Sequence, residues 1–162
     1  MVVDAAIGAA SGLLASWVME QAQKPITKVG SRETQERERR AQGDLPPATV
    51  RVAERAAALA GRSLPEDRRG AAGEVVHYAA GAAFGALFGV LAPRLPLPVV
   101  AAGALYGAAV WLVNVETLVP ALGFSKRPWE YPASTHAKAL ASHLVYGTAT
   151  DAGFRLIGAT LH

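Results

Sequence analysis

The chain has 162 residues, about one domain, and no cysteine, which excludes disulfides, thiolate metal sites and cysteine nucleophiles. Its formal charge is +3, but eleven of the sixteen Lys and Arg residues lie in segment 23–73, together with seven acidic residues. A mixed-charge segment that has no aromatic side chains for stacking on bases argues against a nucleic-acid interface.

Outside this segment the sequence contains long stretches without charge. No charged residue occurs between Glu74 and Arg94, and none occurs from Leu95 to Val115. Each stretch is long enough to cross a hydrocarbon core of ~30 Å as a helix. Soluble core helices rarely need two such stretches in tandem. The pattern therefore predicts an all-α integral membrane protein whose partner is the lipid bilayer.

Four membrane helices are predicted within one domain of residues 1–162, over residues 2–21, 74–91, 99–120 and 134–161. Three prolines within 93–98 cannot continue a helix, so they predict a tight hairpin between the second and third helices. The fourth helix contains Asp151 and Arg155, which are four residues apart and can pair on one helix face. We expect the four helices to form a bundle.

Residues 22–73 are predicted to form a cytoplasmic loop. Within it, segment 48–61 places apolar residues at helical spacing opposite Arg51, Glu54 and Arg55. This favours a short amphipathic helix at the membrane surface, or alternatively a soluble helix packed on the loop. Because Lys126 and Arg127 occupy the other loop on the same side, the positive-inside rule predicts a multi-pass protein with both termini outside.

Small residues four apart let membrane helices approach closely. The candidate packing residues, all glycines, are Gly8, Gly12, Gly81, Gly85, Gly89, Gly103, Gly107 and Gly147. Such a glycine zipper packs the bundle itself, or it docks a second copy or another membrane protein.

The spacing of residues 8–12 resembles that of 103–107, and the sequence of 77–81 resembles that of 143–147. This similarity predicts two helical hairpins related by a pseudo-twofold axis along the membrane normal. Helices rich in glycine and alanine also produce such matches by chance, so both interpretations stay open.

Ionisable side chains inside a membrane are expensive, and each is therefore a functional hypothesis. Those predicted to converge near the cytoplasmic ends of their helices are Glu116, His77, His143 and His136. Asn114 and Glu116 are two residues apart on one helix, so they point to nearly opposite sides. Imidazoles titrate near neutral pH, which favours a small transporter or a proton relay.

A metal-dependent membrane enzyme is an alternative function. Glu74 and His77 form a Glu-x-x-His turn of the type found in di-iron bundles, although the fourth helix lacks the second such turn. The candidate ligands of a metal ion are Glu20, Glu74, His77, Glu116 and His143. A non-catalytic accessory or scaffold subunit is a further alternative, in which the carboxylates are hydrated and the imidazoles donate to carbonyls that fix helix register. No reaction is predicted from these residues.

Several short motifs resemble one family. They are the segments 17–23, 77–81, 103–107, 120–123, 130–132 and 142–147, together with His136. These motifs are similar to those of the YagU-like proteins of the bacterial inner membrane, a family without an established biochemical function, and they extend over nearly the whole chain. The resemblance implies a helical inner-membrane protein and points to His77, Glu116, His136 and His143. At Glu20 the relatives often carry an amide, and the resemblance supplies no activity.

Overall fold

The computed structural model describes residues 1–94 and 98–160, and the regular structure in this part of the chain is helical. In chain order the elements are α1 (Val2–Ile26), α2 (Arg32–Gln42), α3 (Ala48–Leu59), α4 (Arg69–Leu91), α5 (Val99–Val110), a π-helix (Trp111–Leu118), α6 (Val119–Ala121) and α7 (Ala133–Thr160). Three 3-10 turns are formed by Glu66–Arg68, Ala92–Arg94 and Pro128–Glu130. The predicted all-α class is therefore confirmed.

Three of the helical stretches are long and apolar enough to cross a membrane, namely Val2–Ile26, Glu66–Arg94 and Val100–Ala121. They correspond to the first three predicted membrane helices and are consistent with a membrane protein. α7 has 28 residues but carries charged side chains along its length, and it is not among the three. The fourth crossing therefore stays a prediction.

Two helix boundaries differ from those predicted. α1 continues past residue 21 to Ile26, and its last turn is closed by Thr27, whose amide and hydroxyl each donate to the Gln23 carbonyl oxygen over 2.9 Å. α4 begins at Arg69 rather than at residue 74. Its first residue is held by Glu54 of α3 through an ion pair of 3.0 Å, a tertiary contact that hydropathy does not report. Residues 95–97 of the predicted hairpin lie outside the described residues.

α1 packs on α4 through glycines whose backbones are in direct contact. A Cβ atom placed on Gly12 would lie 2.9 Å from the Cα atom of Gly85. One placed on Gly8 would lie 2.9 Å from the Cα atom of Gly89. There is no room for a side chain between these two helices, so the small residues set the distance between their axes.

α5 packs on α7 in the same way. A Cβ atom on Gly147 would lie 2.6 Å from the Cα atom of Gly107. Gly147 faces Gly107, just as Gly85 faces Gly12 in the contact between α1 and α4. Gly147 therefore corresponds to Gly85, whereas the similarity of the two sequence segments matched Gly147 with Gly81. The correspondence predicted between the two hairpins is therefore wrong by one helical turn, and the duplication itself stays a prediction.

The contact between α4 and α5 is made by aromatic side chains. The rings of Phe88 and Tyr106 meet edge to face with centroids 4.9 Å apart. The Tyr106 hydroxyl donates to the Phe84 carbonyl oxygen. These bulky side chains hold α4 and α5 further apart than glycine contacts would, which leaves space between the helices.

α3 is the helix predicted over 48–61, and it packs against the start of α4. Val50 is buried, with its side chain directly against Gly73 of α4. This contact covers the end of the space between the long helices. The position of α3 relative to a membrane surface stays a prediction.

α2 was not predicted, because its residues lack an apolar face. The Ser31 hydroxyl caps the helix by accepting a hydrogen bond from the Thr34 amide over 3.1 Å. Two ion pairs at i,i+4 spacing, one of them between Arg37 and Glu33, support its exposed surface. Such capping and charge-pair signals are present in the sequence, and they could have identified this helix within the charged loop.

One ion pair joins α2 to α7. Lys138 Nζ donates to Glu38 Oε2 over 2.7 Å, and it also reaches the Thr27 carbonyl oxygen over 3.2 Å. Burial raises the pKa of the Glu38 carboxyl, but the neighbouring side chains of Lys138 and Ser134 lower it by more than burial raises it. The pKa therefore lies below its ordinary value of 4.5. The carboxylate form is therefore favoured while α2 is docked.

Candidate functional site

A cavity of ≈ 230 Å³ lies between α1, α4, the π-helix and α7. Its polar lining includes Ser16, His77, Asn114, His143 and Tyr146, and we call this space the chamber. The chamber is large enough to hold water molecules. Most of the remaining lining is apolar, so the polar groups are concentrated in one place between otherwise apolar helices.

Both imidazoles of the chamber are held through one ring nitrogen by a backbone carbonyl. His143 Nδ1 lies 2.8 Å from the Ala139 carbonyl oxygen. His77 Nε2 makes a longer contact of 3.4 Å with the Ser16 carbonyl oxygen. A carbonyl can only accept, so each of these nitrogens carries the hydrogen. The other nitrogen of each neutral ring then has a free lone pair that can accept a proton.

The π-helix contains Asn114 and Glu116, and one of these two residues lines the chamber. Its wider turn is accompanied by a hydrogen bond from the Thr117 hydroxyl to the Leu112 carbonyl oxygen, five residues earlier, over 2.9 Å. Asn114 lines the chamber, whereas Glu116 contacts α7 elsewhere. The two side chains thus have different partners, in accordance with their spacing, and Asn114 joins the site in place of the predicted Glu116. π-helical turns occur frequently at functional sites.

Glu116 and His136 form a separate pair that joins the π-helix to α7. His136 Nδ1 lies 2.8 Å from Glu116 Oε1, and His136 Nε2 lies 3.0 Å from the Pro128 carbonyl oxygen. Both partners can accept, so the arrangement favours the protonated ring, which donates from both nitrogens. The side chains of His136 and Glu116 are 27% and 14% exposed, and neither lines the chamber. Because Glu116 belongs to the π-helix and His136 to α7, the pair joins these two elements outside the chamber.

The predicted metal ligands are divided among several places. Glu20 accepts a hydrogen bond from the Tyr78 hydroxyl over 2.9 Å, and Glu74 is exposed. His77 and His143 line the chamber, while Glu116 pairs with His136. Among residues 1–94 and 98–160, no group of three or more His, Cys, Asp or Glu side chains is arranged to hold a metal ion. The predicted ligand set thus has no geometric support in the part of the chain that is described.

The predicted pairing of Asp151 with Arg155 is present in α7, where Arg155 Nε donates to Asp151 Oδ1 over 2.7 Å. Asp151 is fully buried beside α5, and its Cβ atom would lie 3.0 Å from a Cβ atom placed on Gly103. The pair lies two turns from His143 along α7, so it is separate from the chamber.

A larger cavity adjoins the chamber beneath α2. It has a volume of ≈ 700 Å³, and we call it the outer cavity. Gln23 and Ala48 line both spaces, so the two cavities are neighbours. The chamber therefore has a direct neighbour on the side of residues 22–73.

Comparison with known proteins gives one match. A family model described as a protein of unknown function (DUF1440) matches residues 62–152, which is more than half of the chain. The matched segment contains His77, Asn114, Glu116, His136 and His143. No curated protein and no solved structure matches.

Proposed function

The chain belongs to the DUF1440 family, and we propose that it is a multi-pass membrane protein of the YagU-like type that moves protons through the chamber. In this proposal α1, α4, the segment from α5 to α6, and α7 cross the bacterial inner membrane as a four-helix bundle. Residues 22–73 face the cytoplasm, and both termini lie outside.

Three features support the membrane arrangement. The three apolar stretches are each long enough to span a bilayer. α7 packs closely on α5 through Gly107 and Gly147, so it lies alongside the apolar helices over the same depth. Eleven of the sixteen basic residues lie in segment 23–73, which favours the cytoplasmic side for that segment.

The observation that carries the proposed activity is the pair of imidazoles in one chamber. His77 and His143 come from different helices, and each has one nitrogen tied to a backbone carbonyl. The hydrogen bonds orient the rings and leave one basic nitrogen on each for a proton. Asn114 and Tyr146 supply further polar groups beside them. Ionisable side chains inside apolar helices mark proton pathways.

The Glu116–His136 pair supports the chamber from outside in this proposal. Because it joins the π-helix to α7, it holds Asn114 in place against the imidazoles of the chamber. Its loss is expected to weaken the fold of this corner more than it changes the chemistry within the chamber.

The glycine contacts weigh against a scaffold function. Gly8, Gly12, Gly85 and Gly147 each face the backbone of another helix of the same chain. Their faces are thus already covered and do not present a surface to a partner. The proposal therefore does not require a second protein.

The test is proton flux into liposomes that contain the purified protein and a trapped pH-sensitive dye. With an imposed pH gradient and a potassium–valinomycin potential, we expect the wild type to acidify the lumen faster than protein-free liposomes. His77→Gln and His143→Gln should each reduce the protein-dependent rate by about tenfold or more, because glutamine cannot carry the proton. His136→Gln, which changes an imidazole outside the chamber, should retain most of the rate.

Circular dichroism of each variant establishes that the helices are retained. Wild-type flux no faster than that of empty liposomes would contradict the proposal. So would unchanged flux in both folded chamber variants.

A further inference from the structure

The outer cavity has the size of a ligand site. Its volume of ≈ 700 Å³ falls within the range of small-molecule sites, which is about 300–1,000 Å³. It lies between α2, the end of α1 and the start of α7, and Gln23, Arg39, Thr135 and Lys138 are among the residues that line it. Of these four residues, Gln23 lines both the outer cavity and the chamber, whereas the other three line the outer cavity and not the chamber.

α2 forms the roof of this cavity and is attached to the rest of the protein by polar contacts. No residue of α2 is buried. Lys138 of α7 binds Glu38, and Lys126 Nζ donates to the Ala41 carbonyl oxygen about one turn further along the helix. Gly30 and Gly43 flank the helix with φ angles of +107° and +61°, which favour glycine. The helix is thus a separate unit held over the cavity from two points.

The charge presented to the cavity is positive. Of the carboxylate oxygens of Glu38, Oε2 accepts from Lys138, and Oε1 is shielded from solvent. Glu38, Arg39 and Lys138 are the charged side chains among the residues that line the cavity, and the pairing of Glu38 with Lys138 leaves the charge of Arg39 uncompensated. Lys138 has three donors and uses two of them, on Glu38 and on the Thr27 carbonyl oxygen, so one ammonium hydrogen remains for a further acceptor.

We propose that the outer cavity binds a small oxyanion, a carboxylate or phosphate group, between Arg39 and Lys138 beneath α2. Guanidinium and ammonium groups form charge-assisted hydrogen bonds with such oxygens, and these are stronger than neutral ones. The Thr135 hydroxyl lies on the same lining. The site goes beyond the proposed function, since it lies outside the chamber and binding there requires no movement of protons.

Removing one cation from the lining tests the site. Arg39→Gln should weaken oxyanion binding by about tenfold. The matched control is Arg40→Gln, which breaks an exposed ion pair on the same helix and should leave the affinity unchanged.

The experiment is equilibrium dialysis of the full chain in phosphatidylcholine nanodiscs against radiolabelled inorganic phosphate, and separately against radiolabelled acetate. We expect saturable binding of one oxyanion per chain that weakens as sodium chloride is raised. Adding phosphatidylglycerol to the nanodiscs distinguishes the source of the ligand. Loss of free phosphate binding then identifies a lipid headgroup as the occupant, and unchanged binding identifies a free solute.

Absence of saturable binding of both probes to the wild type would overturn the proposal. The same conclusion follows if Arg39→Gln and Arg40→Gln weaken binding equally, because the effect would then be one of net charge. Because dialysis does not depend on proton flux, failure here leaves the chamber proposal untouched, and the reverse also holds.

Discussion

Replacing Gly85 by alanine tests the contact that sets the distance between α1 and α4. The new Cβ atom would lie 2.7 Å from the Gly12 Cα atom and 2.9 Å from the Gly12 amide nitrogen. Non-bonded carbon atoms prefer separations of about 3.5–4.0 Å. Both neighbouring atoms belong to the backbone, so no side-chain rotation can relieve the overlap, and one helix has to move away by roughly 1 Å.

The expected cost follows from two opposing effects. Overpacking of this kind costs about 1–3 kcal/mol, and the backbone position of both atoms favours the upper end. Alanine has a better helix propensity than glycine, which returns up to about 1 kcal/mol. We therefore expect Gly85→Ala to lower the free energy of unfolding by about 2 kcal/mol.

The assay is reversible unfolding in mixed micelles of a mild detergent and dodecyl sulfate, followed by circular dichroism. Gly70→Ala is the matched control, because Gly70 lies on the same helix and a Cβ atom there would have no neighbour within 4 Å. The control should be as stable as the wild type or up to about 1 kcal/mol more stable. Equal stability of Gly85→Ala and the wild type would refute the close packing of α1 on α4.

Three further changes test other contacts. Tyr146→Phe removes a buried hydroxyl that donates to the Gly81 carbonyl oxygen over 2.7 Å, and it should cost about 1 kcal/mol in the same unfolding assay. Glu116→Gln and His136→Gln, measured singly and together, should give a coupling energy of about 1 kcal/mol, since the two side chains bind each other. Burial raises the pKa of Glu38, but side chains of Lys138 and Ser134 in α7 lower it below its ordinary value. The ionised carboxylate therefore stabilises docked α2 fully above about pH 4.5. This contribution should fade as the pH falls below that value, which limited proteolysis within α2 would detect as faster cleavage.

A Tyr146→Phe protein as stable as the wild type would mean that the hydroxyl bond adds nothing to the fold. Additive effects of Glu116→Gln and His136→Gln would show that the π-helix is not held through this pair. Cleavage of α2 that depends on pH in the same way in Glu38→Gln would assign the effect to another group.

The long helices were predictable because their signal is simple. The charge-free run from Leu95 to Val115 and the one after Glu74 reflect one requirement, the absence of charge along a helix in an apolar environment. α2 was missed for the complementary reason. Its stability comes from a Ser31 cap and exposed ion pairs, which a search for apolar periodicity does not register.

The site was predictable in part. His77 and His143 were expected at one level of the helices, and they do line one chamber. Asn114 lines the chamber and Glu116 does not, in accordance with their spacing of two residues, but the spacing alone does not say which of the two faces the chamber. The aromatic contact between Phe88 and Tyr106 that keeps α4 from α5 depends on side-chain packing, so it could not be read from spacing alone.

A chamber that conducts protons has to be a polar, water-accessible space between membrane helices, and cysteine labelling tests this. The chain contains no cysteine, so a single one can be introduced without a background. Ala80 lines the chamber, whereas the adjacent Ala79 is exposed on another face of α4. In membrane vesicles, a water-soluble maleimide should label Ala80→Cys from the side of residues 22–73 and leave Ala79→Cys unlabelled in the lipid. Labelling of Ala79→Cys alone, or of neither cysteine, would contradict the account.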